Sequence, residues 1–233
     1  MIFTRGLAAL TLLILFSLTL HAKFLYKDDV VHNDKFAAEI EQVGQELYDK
    51  TGVSLYLVMV RDLEQNQSTA DFEQSLSGEL KAPFVLLTFV ELRKEVEIFA
   101  RPLSLYKDFD KKQVLSPNAT FADALVTAVM FGRSWDNYKE MLSNYGGTIL
   151  PVLGEKTKGA DTVKKYSVAM YNGYADVSAQ IAASRGVKLS SAGGNGGKIF
   201  LDLLRLVFYG TILTALIIYI RNKMRKRKNA DAA

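Results

Sequence analysis

Apolar positions in the first half of the chain follow two spacings, one typical of helices and one typical of strands. Across residues 34–50 they recur three and four positions apart, which predicts a helix with one buried face. Residues 53–60 and 83–90 are almost wholly apolar, as in strands that are covered on both faces. A second amphipathic helix is predicted between these strands at residues 69–80, and residues 95–100 are predicted to pair back as a half-exposed strand.

This order of elements predicts an α/β fold with a mixed β-sheet sandwiched by helices. The segment before the first helix, residues 23–31, is predicted to be extended. Beyond a charged, irregular segment at residues 102–117, the pattern is mainly helical, with helices predicted at residues 121–131, 135–145 and 161–184. We therefore expect one folded domain over residues 23–189.

A separate apolar stretch lies near the C-terminus, at residues 199–220. It contains no charged residue from Leu206 to Ile220, and a bilayer core needs roughly 20 mainly apolar helical residues. Six basic residues follow in residues 221–228, and such basic flanks are retained on the cytoplasmic side. The pattern predicts one transmembrane helix with a basic cytoplasmic tail at residues 221–233, preceded by a flexible Gly/Ser-rich linker at residues 190–198.

The N-terminal residues 1–22 have the layout of a secretory signal peptide. Arg5 provides the positive region, residues 7–20 are apolar, and Ala22 is a small residue at the expected cleavage position. An uncleaved N-terminal anchor is the alternative. Both interpretations export the domain, so we expect a single-pass protein of the bacterial inner membrane, with a periplasmic domain and a cytoplasmic C-terminus.

Charge and composition exclude several classes of function. The net charge of +4 comes from the tail, because residues 23–197 contain 20 Lys and Arg against 23 Asp and Glu, a net of −3. The domain therefore lacks the basic surface expected of a nucleic-acid-binding protein. The absence of cysteine excludes disulfides, thiol catalysis and cysteine-based metal sites. His32 is the one histidine outside the predicted signal peptide, which disfavours histidine-assisted hydrolysis.

Short motifs in the domain, together with its flanking segments, resemble a known family. Lys50-Thr51-Gly52 leads into an apolar strand, and residues 82–99 form an apolar strand, a charged turn and a return strand. With the signal peptide, glycine-rich linker, single span and basic tail, this layout resembles the TPM-domain family, which includes bacterial membrane-anchored proteins and thylakoid photosystem II repair factors. The resemblance covers about residues 30–101 and implies an α/β/α sandwich. The chain departs from the family at residues 100–103, where it has no glycine.

Carboxylates before the first helix and in the charged loop are the candidate metal ligands: Asp28, Asp29, Asp34, Asp108 and Asp110. Calcium takes six to eight oxygen ligands, often from loops, and ligands of α/β folds gather at one end of the sheet. Some TPM proteins have an acidic metal-binding crevice and a plant relative has phosphatase activity, so the resemblance implies a divalent cation, such as calcium, here. Lysines flank Asp108 and Asp110, which leaves open an ordinary solvated loop.

Two further sets of residues are candidates for protein contacts. Tyr171, Tyr174 and Asp176 belong to a tyrosine-rich run on the last long helix, and such aromatics occur both at interfaces and in cores. Asp202 and Arg205, at the start of the predicted span, share a helix face. They form either an ion pair at the membrane surface or a contact to a partner transmembrane helix.

The sequence favours a non-enzymatic function. We expect a membrane-anchored accessory protein that binds a periplasmic or membrane protein and assists the assembly or maintenance of a membrane or envelope complex. The alternative is a metal-dependent phosphatase or other hydrolase that uses the acidic crevice.

Overall fold

A computed structural model describes residues 23–192 of the chain. The predicted signal peptide, transmembrane helix, Asp202–Arg205 pair and basic tail lie outside these residues, as does nearly all of the predicted linker. No helix within residues 23–192 is long and apolar enough to cross a membrane. The chain divides into two compact units, and the first of them ends at Ser191. This boundary lies two residues beyond the predicted end of the domain.

The described residues contain four strands, seven α-helices and one 3-10 helix. In chain order they are β1 (Leu25–Asp28), α1 (Asp34–Thr51), β2 (Ser54–Val60), α2 (Thr69–Ser77), β3 (Phe84–Val90), β4 (Glu95–Arg101), the 3-10 helix (Leu103–Lys107), α3 (Lys111–Val114), α4 (Phe121–Phe131), α5 (Trp135–Ser143), α6 (Leu150–Leu153) and α7 (Ala160–Ser184).

The four strands form one mixed sheet in the order β1-β2-β3-β4. β1 pairs with β2 and β2 with β3 in parallel, whereas β4 pairs antiparallel with β3. The predicted α/β class with a mixed sheet is therefore confirmed. The structure also shows that the predicted extended segment before α1 contains a fourth strand, β1.

Local sequence signals account for the helix boundaries. Asn33 caps α1 by accepting from the backbone N–H of Phe36, and Gly52 ends this helix in the left-handed conformation with φ 72°. Ser68 with Asp71, at the start of α2, and Thr120 with Asp123, at the start of α4, each form a capping box. The capping box at Thr120 starts α4 at Phe121, and the helix covers the predicted residues 121–131.

Helices α1 and α7 pack on one face of the sheet. The hydroxyl of Tyr174 in α7 donates to the backbone oxygen of Leu55 in β2 at 2.7 Å, and the Phe89 ring in β3 lies 5.1 Å from the Tyr166 ring. A side chain at Gly44 of α1 would overlap Tyr174, so a glycine here lets α1 and α7 approach closely. One part of the apolar core lies in this layer.

Helix α2 packs on the opposite face. Three apolar side chains of α2 and of the turn that follows it pack against buried residues of β2 and β3. They are Phe72, Leu76 and Leu80. The fully buried positions of α2 are polar instead: Thr69, Glu73 and Ser77. Glu73 is 2% exposed and accepts from the Thr88 hydroxyl in β3 at 2.7 Å. A polar contact thus lies in the centre of an otherwise apolar layer.

The C-terminal end of the first unit is attached to α1 through Glu46. The Glu46 carboxylate accepts from the backbone N–H groups of Ser190 and Ser191, both at 2.7 Å, and from both serine hydroxyls. Lys50 donates to Glu46 and, at 2.7 Å, to the backbone oxygen of Lys188. We call this set of contacts the Glu46 clamp.

Candidate functional site

The largest group of exposed apolar side chains in the described part of the chain lies on the hairpin formed by α4 and α5. Val129, Met130 and Trp135 are each 68% exposed, and Phe131 is 61% exposed. We define the hairpin surface by its exposed apolar members: Phe121, Leu125, Val126, Val129, Met130, Phe131 and Trp135. Large apolar patches of this kind mark interaction sites more often than ordinary solvent-exposed surface.

Helix α4 reverses the usual distribution of side chains on a surface helix. Its buried positions are the small residues Ala124 and Ala128, whereas its large apolar residues face outward. Asp123, in the first turn, is its only charged residue. Surface helices normally bury their large apolar side chains and expose polar ones. The outward face of α4 therefore has the composition of a surface that is covered in the functional state.

The tip of the hairpin, residues 131–135, adds aromatic and cationic groups. The Trp135 ring stacks on Tyr138 with centroids 5.7 Å apart and an interplanar angle of 6°. The Lys139 ammonium lies 5.5 Å from the centroid of the Trp135 ring, within cation–π distance. Ser134 caps α5 by accepting from the N–H of Asn137, so the turn that presents Trp135 is well ordered by local hydrogen bonds.

Two buried polar residues hold the ends of the hairpin together. Asn118 donates to the backbone oxygen of Asn144 at 2.9 Å and accepts from the Thr127 hydroxyl at 2.9 Å. Ser116 also donates to the backbone oxygen of Asn144, at 3.0 Å. Gly147 packs so closely on the Ser116 backbone that a side chain there would overlap it. We call these contacts the Asn118 clasp; they close residues 118–147 into a defined excursion from the domain.

The predicted metal ligands that precede and begin α1 form local contacts. Asp28 accepts from three consecutive backbone N–H groups, those of Val30, Val31 and His32, at 2.7–3.0 Å. Asp29 pairs with Lys27 at 3.1 Å, and Asp34 is the exposed first residue of α1. Asp28 therefore shapes the turn between β1 and α1, a role that the sequence did not predict.

The two predicted ligands in the charged loop line one open depression. Asp108 pairs with Arg185 of the segment after α7 at 3.1 Å, and Asp110 caps α3 by accepting from the N–H of Gln113. Three lysines line the same depression: Lys107, Lys111 and Lys112. Among residues 23–192, no three or more His, Asp or Glu side chains are grouped to hold a metal ion. The calcium site stays a prediction.

Of the three predicted protein-contact residues on α7, Tyr174 requires a correction. Tyr174 is fully buried, its hydroxyl is bonded inside the core, and burial raises its pKa well above the ordinary value. It therefore cannot form part of a binding surface. Asp176 accepts from Gln113, Thr148 and Gln180, so it joins α7 to α3 and to the segment before α6. Tyr171 is half-buried, and its hydroxyl contacts the backbone oxygen of Ser191 at 3.5 Å.

A second polar cluster, which sequence reasoning missed, lies beneath α2. Burial raises the pKa of Glu73 to about 7; the Thr88 hydrogen bond opposes this shift, and the neighbouring Glu97 adds to it. Glu97 in β4 in turn accepts from Lys111 of α3. Glu73 and its partner Thr88 are both buried, so this cluster lies within the packing between α2 and the sheet.

Comparison with known proteins adds no assignment: no family model matches the chain, and no curated protein has significant sequence similarity to it. Function is therefore inferred from the hairpin surface and from the fold that presents it.

Proposed function

We propose that this protein is a membrane-anchored accessory protein that acts by binding through the hairpin surface and not by catalysis. The observation that supports this proposal is the reversed distribution of side chains on α4, with buried alanines and outward Val129 and Met130. Exposing large apolar side chains opposes the hydrophobic effect, so a binding role offers a physical reason for their position. The proposed role is to assist the assembly or maintenance of a membrane or envelope complex.

We further propose that the domain is TPM-like. The order β1-α1-β2-α2-β3-β4, with helices on both faces of the sheet, supports this proposal. The element boundaries over residues 30–101 agree with the segments on which the resemblance depends. The later helices, including the hairpin, lie beyond the best-matching part, so the hairpin surface is a property of this chain and not a transfer from the family.

The alternative proposal, a metal-dependent hydrolase, depends on Asp108 and Asp110. Both carboxylates line one depression, which favours this alternative, but each already has a partner in the protein, Arg185 for Asp108 and the α3 N-terminus for Asp110. A cation would have to replace those contacts. On the hairpin surface, Val126, Val129 and Met130 are 58–68% exposed, and we therefore prefer the binding function.

Site-specific crosslinking tests the binding function. The chain contains no cysteine, so Val129→Cys gives a single attachment point for a photoreactive label on the hairpin surface. Leu103→Cys is the matched control, because Leu103 is also a large exposed residue, at 73%, but lies on the 3-10 helix outside the hairpin. In native membranes we expect photoadducts with lipid or with a protein from position 129, and few from position 103. Equal labelling from both positions, or none from either, would contradict the proposal.

A further inference from the structure

We propose that the hairpin surface binds the lipid interface of the membrane to which the chain is tethered, with Val129, Met130, Phe131 and Trp135 inserted among the lipid headgroups. This inference rests on the proposed binding function and names the partner of the same surface. The other occupants, a protein or a second copy of the chain, are outcomes of the test below.

The gradient of polarity along α4 matches that of a membrane surface. Phe131 follows Asp123 by eight residues, which corresponds to about 12 Å along the helix axis. The charged end of α4 can therefore stay in water while its other end enters the bilayer. Interfacial helices insert apolar groups to a depth of about 5–10 Å, a depth that the side chains of residues 129–135 can reach without burying Asp123.

The aromatic and cationic groups at the tip suit the headgroup region. Trp135 and Tyr138 combine an apolar ring with a polar atom, and such residues concentrate where membrane meets water. Lys139 lies against the Trp135 ring and has a long aliphatic stem that lets its ammonium group return to the headgroups. A protein groove would satisfy the apolar side chains equally well, but it would not by itself account for this arrangement.

The distance available to the domain also favours lipid. Seven residues separate Ser191, at the end of the Glu46 clamp, from residue 199, where the predicted span begins. A segment of this length extends to at most about 30 Å. The predicted tether would thus keep the domain near the bilayer, and tethering raises the effective concentration of the hairpin surface at the membrane.

The charges of the hairpin indicate that the contact is mainly apolar. Residues 121–143 contain two basic residues, Arg133 and Lys139, and three acidic residues, Asp123, Asp136 and Glu140. A net charge of −1 gives no general attraction to anionic lipid. Binding should therefore occur on zwitterionic lipid and should respond little to salt, because screening affects charged contacts and not apolar burial.

Trp135 allows a direct test in the full-length protein, because it is the only tryptophan in the chain. The protein is reconstituted into phosphatidylcholine vesicles, with and without phosphatidylcholine brominated near the headgroup end of its acyl chains. We expect brominated lipid to quench the emission of Trp135 and the emission to be blue-shifted relative to a variant carrying Val129→Asp and Phe131→Asp. Leu103→Asp, the matched control outside the hairpin, should leave both signals unchanged.

The result that overturns the inference is emission from Trp135 that is typical of water and insensitive to brominated lipid. Crosslinking from Val129→Cys then separates this failure from failure of the binding function. Adducts with another protein, or with a second copy of the chain, would retain binding and reject lipid. Absence of both quenching and adducts would reject both proposals. Circular dichroism of each variant shows whether the exposed substitutions leave the fold intact.

Discussion

At the scale of the residue, Glu73 shows how a single polar side chain can decide the pH dependence of the fold. Its carboxyl is buried between α2 and the sheet, and its pKa rises from 4.5 to about 7. A group whose pKa is raised on folding stabilises the protein fully below its unfolded pKa. That stabilisation is lost as the pH rises from 4.5 through about 7, which amounts to about 3 kcal/mol.

Replacing Glu73 with glutamine should remove this loss of folding stability at high pH. The amide side chain has an oxygen that can accept from Thr88 but cannot ionise, so we expect Glu73→Gln to be more stable than the wild type at pH 8 and similar to it at pH 4.5. The measurement is urea unfolding of residues 23–191 at both pH values. Thr88→Val, which removes the donor, should instead destabilise the domain by about 1 kcal/mol. An equal pH dependence in wild type and Glu73→Gln would contradict this expectation.

The Glu46 clamp has the opposite pH dependence. Desolvation alone would raise the pKa of Glu46, but hydrogen bonds from Lys50 and from the side chains and backbone of the two serines hold its pKa well below its ordinary value of 4.5. A depressed pKa stabilises the folded form above the unfolded pKa, and this contribution is lost as the pH falls below about 4.5. The attachment of residues 188–191 should therefore weaken in acid.

Glu46→Gln should release this segment at neutral pH as well. We expect faster hydrogen exchange at the amides of Ser190 and Ser191, by an amount that corresponds to about 2 kcal/mol of local stability. Exchange in β3 should not change. Glu39→Gln is the matched control, because Glu39 lies on the same helix and, within residues 23–192, makes a single long ion pair, with Lys35 at 3.9 Å. Identical exchange in Glu46→Gln and Glu39→Gln would show that the clamp does not stabilise the segment.

At the scale of the element, the Asn118 clasp should govern the hairpin independently of the sheet. α4 and α5 pack mainly against each other, so losing the clasp affects few contacts elsewhere. We expect Asn118→Ala to lower the local stability of residues 119–146 by about 1–3 kcal/mol, because it removes one of the two side-chain donors to the partly buried carbonyl of Asn144. Hydrogen exchange in α4 and α5 should accelerate, while exchange in β2 and β3 stays slow.

The control for this prediction is Asn172→Ala, at an exposed position of α7. It removes the same side chain from a helix outside the hairpin and should leave exchange in α4 and α5 unchanged. Acceleration spread evenly over the whole domain in Asn118→Ala would show that the hairpin and the sheet unfold as one unit, contrary to our expectation.

The elements themselves were largely predictable, because each begins and ends with a strong local signal. Asn33, Gly52 and Thr120 fix helix ends that the sequence alone predicted. β1 was predicted only as an extended segment, since its mixed residues (Leu-Tyr-Lys-Asp) give no continuous apolar run. The role of α2 was also missed, because apolar periodicity points to Phe72 and Leu76 and cannot show that Glu73 lies deeper.

The candidate site was less predictable than the fold, for physical reasons. Apolar residues occur all around α4, so its sequence predicts a helix but does not show which face is covered by the domain. Tyr174 is a candidate for protein contacts from the sequence because tyrosine is common at interfaces as well as in cores, but its hydroxyl donates to the carbonyl of Leu55 and its ring is buried. The exposed face of α4 and the burial of Tyr174 both depend on contacts between residues that are distant in sequence.

At the scale of the whole molecule, the two proposals describe one arrangement. The predicted span would hold the chain in the bilayer at residues 199–220, and the proposed contact of the hairpin surface would give the domain a second attachment to the same membrane. Two contacts restrict the orientation of a domain far more than one tether does. The rest of the domain surface would then stay available to a protein partner.

The composition of α4 also has a consequence for the chain before it folds. Residues 125–131 (LVTAVMF) form seven uncharged positions without proline, rich in residues that favour strands, and such windows nucleate aggregation when they are exposed in unfolded chains. Asp123 and Arg133 lie on either side, where charged residues act as gatekeepers. The segment that would bind the membrane is thus also one that is prone to aggregation before the chain folds.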